Sequence, residues 1–201
     1  MPRIVLASSS PYRQELLARL QLPFIAMAPE IDETAIESEA AADTAQRLAL
    51  QKARAVAQRH QNAIIIGSDQ VASLDGLHIG KPGNHAAALQ QLQLMRGREV
   101  IFHTALCVID QRDNHQTPAT PVVLIDNIQT KVLFRNLDDE ELDAFLRIEQ
   151  PYDCAGSAKN EALGITVIEK ISSDDPTALT GLPLIRLTSM LRSLGVSFYK
   201  K

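Results

Sequence analysis

The chain has 201 residues and a formal net charge of −4 at pH 7. The length predicts a single domain over residues 1–201, and 45% hydrophobic with 22% charged residues is an ordinary globular composition. The negative balance argues against binding of long nucleic acid, and a 4% aromatic content without Trp argues against a base-stacking platform. With two cysteines, no signal-like segment and no long apolar run, we expect a cytoplasmic protein without a zinc quartet and with no membrane partner.

The first motif is an apolar run that turns into a helix. Residues 4–7 predict a short buried strand, and the apolar spacing after three serines predicts a helix with Ser10 as N-cap and Pro11 at its first position. Such a turn directs unpaired N–H groups and the positive end of the helix dipole to one point, where Arg13 adds a charge. The pattern favours an anion site suited to phosphate; the alternative is an ordinary turn with a solvated arginine.

A second short strand and a long helix follow. Residues 22–27 predict the strand, residues 28–34 an acidic loop, and Asp43 or Thr44 caps an Ala-rich helix. Lys52 falls on the inward face of this helix. From there its ammonium group either emerges past the small alanines or reaches a shared cleft.

Residues 62–71 form the second motif. Four apolar residues without alternation predict a strand covered on both faces, and we expect it to end at Gly67, Ser68 and Asp69. Ligands of open α/β sheets bind beyond the carboxyl ends of strands. Asp69 is therefore a candidate metal ligand or base, although an aspartate at such a place can also simply cap a turn.

The remaining elements are read from turn residues and apolar periodicity. They are a hairpin turn at 75–76, a helix between Asn84 and Gly97, an antiparallel pair of strands over 98–110 and 122–134, a surface loop over 111–121, a helix capped by Asp138, a strand over 165–171, an exposed acidic turn over 172–177 and a helix over 183–194 with Gly195 after it. Lys81 stands between Gly80 and Pro82, so its backbone is restricted and its side chain can be aimed.

Cations, carboxylates and small hydroxyl residues recur at the predicted strand ends. They are Arg13, Lys52 and Lys81; Asp32, Glu33 and Asp69; and Ser8, Ser9 and Ser68. This mixture suits a polyphosphate bound together with Mg²⁺ or Mn²⁺. A carboxylate with an ordinary pKa of about 3.9 is a weak base toward water, whose pKa is about 15.7, so Asp69 needs a metal ion in order to activate water.

Six motifs, in this order, resemble those of the Maf family of nucleoside triphosphate pyrophosphatases. They are LASSSPYRQELL at 6–17, GSDQ at 67–70, GKP at 80–82, FRNL at 134–137, DCAGS at 153–157 and GLPL at 181–184. The resemblance implies an α/β fold of the inosine-triphosphatase-like (Maf/Ham1-like) type, with a mixed sheet flanked by helices and a cleft between two lobes. Gln70 and Glu161 resemble the branch of the family that acts on 7-methyl-GTP.

The resemblance also implies a set of roles. They are general base and metal ligand for Asp69, metal ligand for Glu33, triphosphate binding for Ser8, Arg13, Lys52 and Lys81, and base selection for Tyr12, Gln70 and Glu161. The implied reaction is attack of metal-bound water on the α-phosphorus of 7-methyl-GTP, with release of pyrophosphate. The implied cofactor is Mg²⁺ or Mn²⁺, and the implied assembly is a homodimer.

Some positions depart from the family pattern and leave alternatives open. Tyr12 stands where this branch usually has Trp, and Ala105 and Ala162 replace usual glycines. One alternative is the same reaction on dTTP, UTP or another modified or non-canonical nucleotide. The other is a non-catalytic, nucleotide-binding regulator of septum formation.

Overall fold

The computed structural model describes residues 2–112 and 120–199, so most of the predicted loop over 111–121 lies outside the described residues. The strands are β1 Ile4–Leu6, β2 Phe24–Ala26, β3 Ile64–Leu74, β4 Leu77–Ile79, β5 Glu99–Asp110, β6 Val122–Phe134 and β7 Ile168–Ser173. The helices are α1 Pro11–Ala18, α2 Ala41–Ala57, α3 His85–Met95, α4 Asp139–Glu149 and α5 Leu184–Ser193, with short 3-10 helices at Ala155–Ser157 and Leu163–Val167.

The strands form one mixed sheet in the order β2-β1-β3-β5-β6-β7, with β4 paired to β3. Strand β1 runs parallel to both β2 and β3. Strands β4 and β7 run antiparallel to β3 and β6. The predicted α/β class with a mixed sheet is confirmed.

The chain divides into two compact units. The first comprises Met1–Gln70, Thr104–Ile128 and Asp175–Lys201, and the second comprises Val71–His103 and Gln129–Asp174. The first unit holds β1, β2, α1, α2 and α5, and the second holds β4, β7, α3 and α4. Strands β3, β5 and β6 contribute residues to both units.

The core of the first unit is built on the unbroken apolar runs of β1 and β3. Its members, all buried, include Ile4, Leu6, Leu16, Leu17, Ile64, Ile66, Leu106, Leu182, Leu187 and Leu191. Side chains of α1 and α5 cover the face of the strands that carries these residues, and α2 lies against the other face at Gly67. Because both faces are covered, the strands carry no polar alternation. The predicted buried strands at the start of the chain and before Gly67 are confirmed.

Local capping residues set the starts of three helices. The side-chain oxygens of Ser10, Asn84 and Asp138 accept backbone N–H bonds from the first turns of α1, α3 and α4, at 3.4, 3.0 and 2.9 Å. All three caps were predicted and are confirmed. The predicted start of α2 at Asp43 or Thr44 was wrong, because α2 begins at Ala41 and the Thr44 hydroxyl is bonded to Glu39 instead.

The segment before α5 differs from its prediction. A 3-10 helix occupies Leu163–Val167, so β7 begins at Ile168 and extends to Ser173 through part of the predicted acidic turn. Asp175 is buried, not exposed. Helix α5 follows Pro183, which has no capping side chain, and Asp175 Oδ2 takes that role by accepting the N–H groups of Ile185 and Arg186 at 2.7 and 3.1 Å.

Gly67 allows α2 to lie directly on β3. A Cβ atom added at Gly67 lies 2.3 Å from the carbonyl oxygen of Ala49 and 2.9 Å from the Cβ of Ala53. Both belong to the rigid body of the helix, so Gly67→Ala is expected to lower the free energy of unfolding by about 3 kcal/mol in urea denaturation. The matched control is Gly80→Ala, whose added Cβ has no described atom within 4 Å and is expected to change stability by less than about 0.5 kcal/mol. Equal losses in the two variants would contradict the prediction.

Candidate active site

The centre of the candidate site is a buried lysine that joins two carboxylates. Lys52 Nζ donates to Asp69 Oδ1 at 2.6 Å and lies 3.0 Å from Glu33 Oε1. Lys52 and Asp69 are 5% and 6% exposed, whereas the side chain of Glu33 is 52% exposed. Lys52 and Asp69 thus form a buried ion pair, and the half-exposed carboxylate of Glu33 connects this pair to solvent.

Two regular elements position the pair. Lys52 lies on the buried face of α2, as its spacing predicted. Asp69 lies in the middle of β3 and not at its end, because β3 continues to Leu74 by pairing with β4. The prediction that the strand ends at Asp69 was therefore wrong. Pairing of β3 with β1 stops at Ile66, however, so Asp69 does lie beyond the carboxyl end of the neighbouring parallel strand.

Burial shifts the pKa values of Asp69 and Arg13. Burial raises the pKa of Asp69 above its ordinary value, and the positive charges of Lys52 and Arg13 act in the opposite direction. Burial lowers the pKa of Arg13, against the attraction of Asp69 and Glu33. The carboxylate form of Asp69 therefore depends on the cations beside it.

Arg13 is anchored at one nitrogen. Its Nε donates to the carbonyl oxygen of Gly181 at 2.8 Å, and the hydroxyl of Ser68 lies 2.9 Å from the same oxygen. Gly181 has φ +110°, a conformation that L side chains rarely adopt. Among the described residues the two terminal nitrogens of Arg13 make no hydrogen bond. They form a fork suited to bidentate binding of a phosphate.

The serine-rich turn before α1 is held by its own hydroxyls. Ser8 is buried, and its Oγ accepts the N–H of Ser10 at 3.1 Å. Its hydroxyl proton can therefore be donated to another acceptor. Tyr12, in the first turn of α1, is partly exposed.

The loop that carries Glu33 is tied to α2. Arg47 of α2 binds both carboxylate oxygens of Glu39, at 2.8 and 2.7 Å, and these bonds lower the pKa of Glu39 to about 2. Arg47 also reaches the carbonyl oxygen of Thr34 at 3.4 Å. Asp32, one of the candidate carboxylates, is exposed and accepts the N–H and hydroxyl of Thr34 at 2.9 and 2.6 Å. Asp32 therefore shapes the turn next to Glu33.

Gln70 is anchored by contacts that the sequence did not predict. Its Nε2 lies 2.9 Å from Thr104 Oγ1 and 3.1 and 3.0 Å from the carbonyl oxygens of Ala178 and Leu179. The partners are more than 30 and more than 100 residues away in the chain. No local pattern in the sequence indicates them; only the GSDQ motif marks Gln70 itself.

Two predicted site residues belong to the second unit. Lys81 is exposed and follows β4, and Glu161 is exposed between the two 3-10 helices. The first unit contains the other predicted site residues, and within it the structure brings Asp69, Lys52 and Glu33 into direct contact. The roles assigned to all of these residues, including Lys81 and Glu161, stay predictions.

The donor set at Lys52 fits a divalent cation. The carboxylates of Asp69 and Glu33 both contact the ammonium group of Lys52, so they converge on one point. Carboxylate oxygens are also the ligands that Mg²⁺ and Mn²⁺ prefer. No group of three or more His, Cys, Asp or Glu side chains that could hold a metal occurs among the described residues. A cation there would take its other ligands from water and from substrate oxygens.

No described helix is both long enough and apolar enough to cross a bilayer.

A mixed α/β fold that presents an arginine fork and a carboxylate pair is suited to a protein that binds phosphate groups. The chain belongs to the Maf family: the family described as "Maf-like protein" matches residues 3–194. It is 59% identical over 194 residues to the 7-methyl-GTP pyrophosphatase of Cupriavidus metallidurans, covering 96% of this chain and 94% of that protein. It is 57% identical over 201 residues to the 7-methyl-GTP pyrophosphatase of Burkholderia pseudomallei, covering 98% and 90%.

Solved structures give a more distant likeness. The Ham1 protein of Staphylococcus aureus matches with a TM-score of 0.44 and 14% identity, covering 67% of this chain and 72% of that one. The dITP/XTP pyrophosphatase of Mycobacterium abscessus matches with a TM-score of 0.41 and 17% identity, covering 96% and 97%.

Proposed function

We propose that this protein is a nucleoside triphosphate pyrophosphatase that hydrolyses 7-methyl-GTP to 7-methyl-GMP and pyrophosphate. The observation that carries the proposal is the contact of Lys52 with Asp69 and Glu33, in a chain of the Maf family. Support for the substrate comes from the relatives, which are 55% to 59% identical over nearly the full length and carry the name of that activity.

In this proposal the triphosphate is bound by cations and hydroxyls. The terminal nitrogens of Arg13 take two phosphate oxygens, because its Nε is already bonded to Gly181. Ser8 donates its hydroxyl proton. The Maf resemblance assigns a further positive charge to Lys81. These groups offset the negative charge that builds up on the leaving pyrophosphate.

Asp69 is the proposed general base. A water molecule attacks the α-phosphorus, its proton passes to Asp69, and the bond from the α-phosphorus to the bridging oxygen breaks as pyrophosphate leaves. Lys52 favours the ionised, proton-accepting form of Asp69, which burial opposes. Asp69 and Glu33 would hold Mg²⁺ or Mn²⁺, which would supply Lewis acidity toward water and phosphate oxygens.

Base selection is assigned to Tyr12, Gln70 and Glu161. N7-methylation makes the guanine ring cationic, and a cationic ring is favoured by an aromatic face and by a nearby carboxylate. Tyr12 supplies the first and Glu161 the second. We further propose that the enzyme acts in the cytoplasm as a homodimer.

The test is pyrophosphate release by the purified protein with Mg²⁺ or Mn²⁺ from 7-methyl-GTP, GTP, dTTP, UTP, CTP and ITP. We expect kcat/KM for 7-methyl-GTP to lead by at least about tenfold, which corresponds to about 1.4 kcal/mol of transition-state discrimination. If kcat/KM is instead highest for dTTP or UTP, the proposed reaction stands and the proposed substrate is wrong. Nucleotide binding without release from any of the six would contradict the enzyme and favour a regulatory protein.

A further inference from the structure

The amide of Gln70 is held in one orientation. Three atoms surround its Nε2: Thr104 Oγ1 at 2.9 Å, Leu179 O at 3.0 Å and Ala178 O at 3.1 Å. Two of the three are backbone carbonyl oxygens, which accept hydrogen bonds and cannot donate them. The NH₂ group must therefore face them. The Oε1 atom, which makes no hydrogen bond among the described residues, is left as the group that Gln70 can present.

The third acceptor of the Gln70 Nε2 group is a side-chain hydroxyl, that of Thr104. Thr104 is 0% exposed, and its Oγ1 lies 3.0 Å from the carbonyl oxygen of Ala178. Because that carbonyl only accepts, the hydroxyl proton points to it, and a lone pair of Oγ1 faces the Gln70 amide. Thr104 thereby links Gln70 to the segment before α5.

That segment is itself fixed. The Ala178 N–H donates to Asp175 O at 3.0 Å, and the Gly181 N–H donates back to Ala178 O at 2.8 Å. Thr177 Oγ1 donates to Leu182 O and accepts the N–H of Leu184, both at 2.8 Å. Thr104 therefore hydrogen-bonds a rigid turn.

We propose that Thr104 is a positioning residue for Gln70, and that it holds the amide so that Oε1 is the atom presented to the nucleotide base. This inference rests on the proposed function, in which Gln70 contacts the base. Thr104 does not itself contact the substrate; it acts through Gln70.

The orientation indicates which edge of a base is read. An amide oxygen accepts hydrogen bonds, so it selects a base edge that donates them, and a guanine ring offers N1–H and an exocyclic NH₂. The positive charge of an N7-methylated ring strengthens both donors. Gln70 in this orientation therefore favours a cationic guanine over its neutral form.

Removing the hydroxyl displaces the amide. Thr104→Val keeps the shape of the side chain and replaces Oγ1 by a methyl group, which cannot stay 2.9 Å from Nε2, because a carbon makes van der Waals contact at about 3.5 Å. The amide must move by roughly half an ångström. Displacements of about 1 Å at a contacting group cost up to about a hundredfold in rate.

The test compares kcat and KM for 7-methyl-GTP and GTP in wild type, Thr104→Val, Thr104→Ser and Thr130→Val. The serine variant retains the hydroxyl. Thr130 is the matched control, a strand threonine that is 0% exposed and whose hydroxyl is bonded to Ser173 at 2.9 Å in the second unit. Exchange of the Gln70 side-chain amide protons, followed by NMR, is the readout that does not depend on activity.

We expect Thr104→Val to lower kcat/KM for 7-methyl-GTP about tenfold, mainly by raising KM. The ratio of kcat/KM for 7-methyl-GTP to that for GTP should fall by a similar factor. Gln70 amide exchange should become faster in that variant. The serine and Thr130 variants should behave like wild type. An unchanged preference in Thr104→Val, or a loss that serine does not rescue, would overturn the inference. If wild type does not hydrolyse 7-methyl-GTP, the proposed function fails by itself, and unchanged amide exchange in Thr104→Val would then refute the positioning role independently.

Discussion

Replacing Asp69 by asparagine is expected to lower pyrophosphate release from 7-methyl-GTP by about a thousandfold or more. The substitution is nearly isosteric but removes the proton acceptor, and general-base catalysis alone contributes about 10²–10⁴-fold. It also removes the negative charge that Lys52 contacts at 2.6 Å. Nucleotide binding should persist, because the Arg13 fork is anchored at Gly181 and not at Asp69. Steady-state kinetics with a malachite-green phosphate assay coupled to pyrophosphatase measure the loss, and nucleotide-dependent thermal shifts measure the binding.

Asp110→Asn provides the matched control for this variant. Asp110 is also a strand aspartate of the first unit, 5% exposed, and its carboxylate is bonded to Arg112 at 2.7 Å. Its loss should affect stability, while kcat/KM stays within about threefold of wild type, because Asp110 takes no part in the proposed chemistry. If Asp69→Asn and Asp110→Asn lose comparable activity, the proposed role of Asp69 as general base is contradicted.

Replacing Lys52 by methionine is expected to change both stability and activity. The methionine side chain matches the length of the lysine stem but leaves Asp69 buried without its cation, and breaking a buried pair in this way costs about 3 kcal/mol. For a chain of this size, the corresponding fall in the melting temperature is about 6–12 °C. Activity should fall about a hundredfold, since Asp69 then holds a proton more readily and the triphosphate loses a cation. Differential scanning calorimetry of the metal-free protein and steady-state kinetics measure the two effects.

A divalent cation should partly restore the stability of the Lys52→Met variant. Mn²⁺ added to the variant offsets the charge of Asp69 and Glu33 that the ammonium neutralised, so the gain in melting temperature should exceed that of wild type. Lys131→Met serves as the control, because Lys131 is an exposed lysine 3.4 Å from Glu99 and such pairs contribute less than about 1 kcal/mol. A metal-free Lys52→Met protein that melts with wild type would show that the buried pair carries no net stability.

The features predicted correctly from the sequence depend on neighbours within a few residues. The caps Ser10, Asn84 and Asp138 each bond an N–H three residues on, so a short stretch of sequence determines them. Lys52 was placed on the packed face of α2 by helical periodicity alone. The roles of the site residues came from the family resemblance, and the geometry of Lys52 with Asp69 and Glu33 supports them without testing them.

The features that could not be predicted depend on distant partners. Whether β3 ends at Asp69 depends on pairing with β4, and the burial of Asp175 depends on the unpartnered N–H groups at the start of α5. Gln70 meets Ala178 and Leu179 across more than 100 residues of chain. The periodicity of apolar residues and the turn residues can be read from a single sequence. The sequence does not indicate which distant carbonyl groups the Gln70 side chain will contact.

The contact of Gly181 with Arg13 spans 168 residues of sequence, and the contacts of Gln70 span more than 100. Synthesis proceeds from the N-terminus, so the two side chains leave the ribosome long before the carbonyl groups that hold them. A nascent chain that ends before residue 175 lacks the carbonyl oxygen of Gly181 that accepts from the Arg13 Nε. The anchored arrangement of Arg13 and Gln70 therefore forms only after the segment that contains Ala178 and Gly181 has been synthesised.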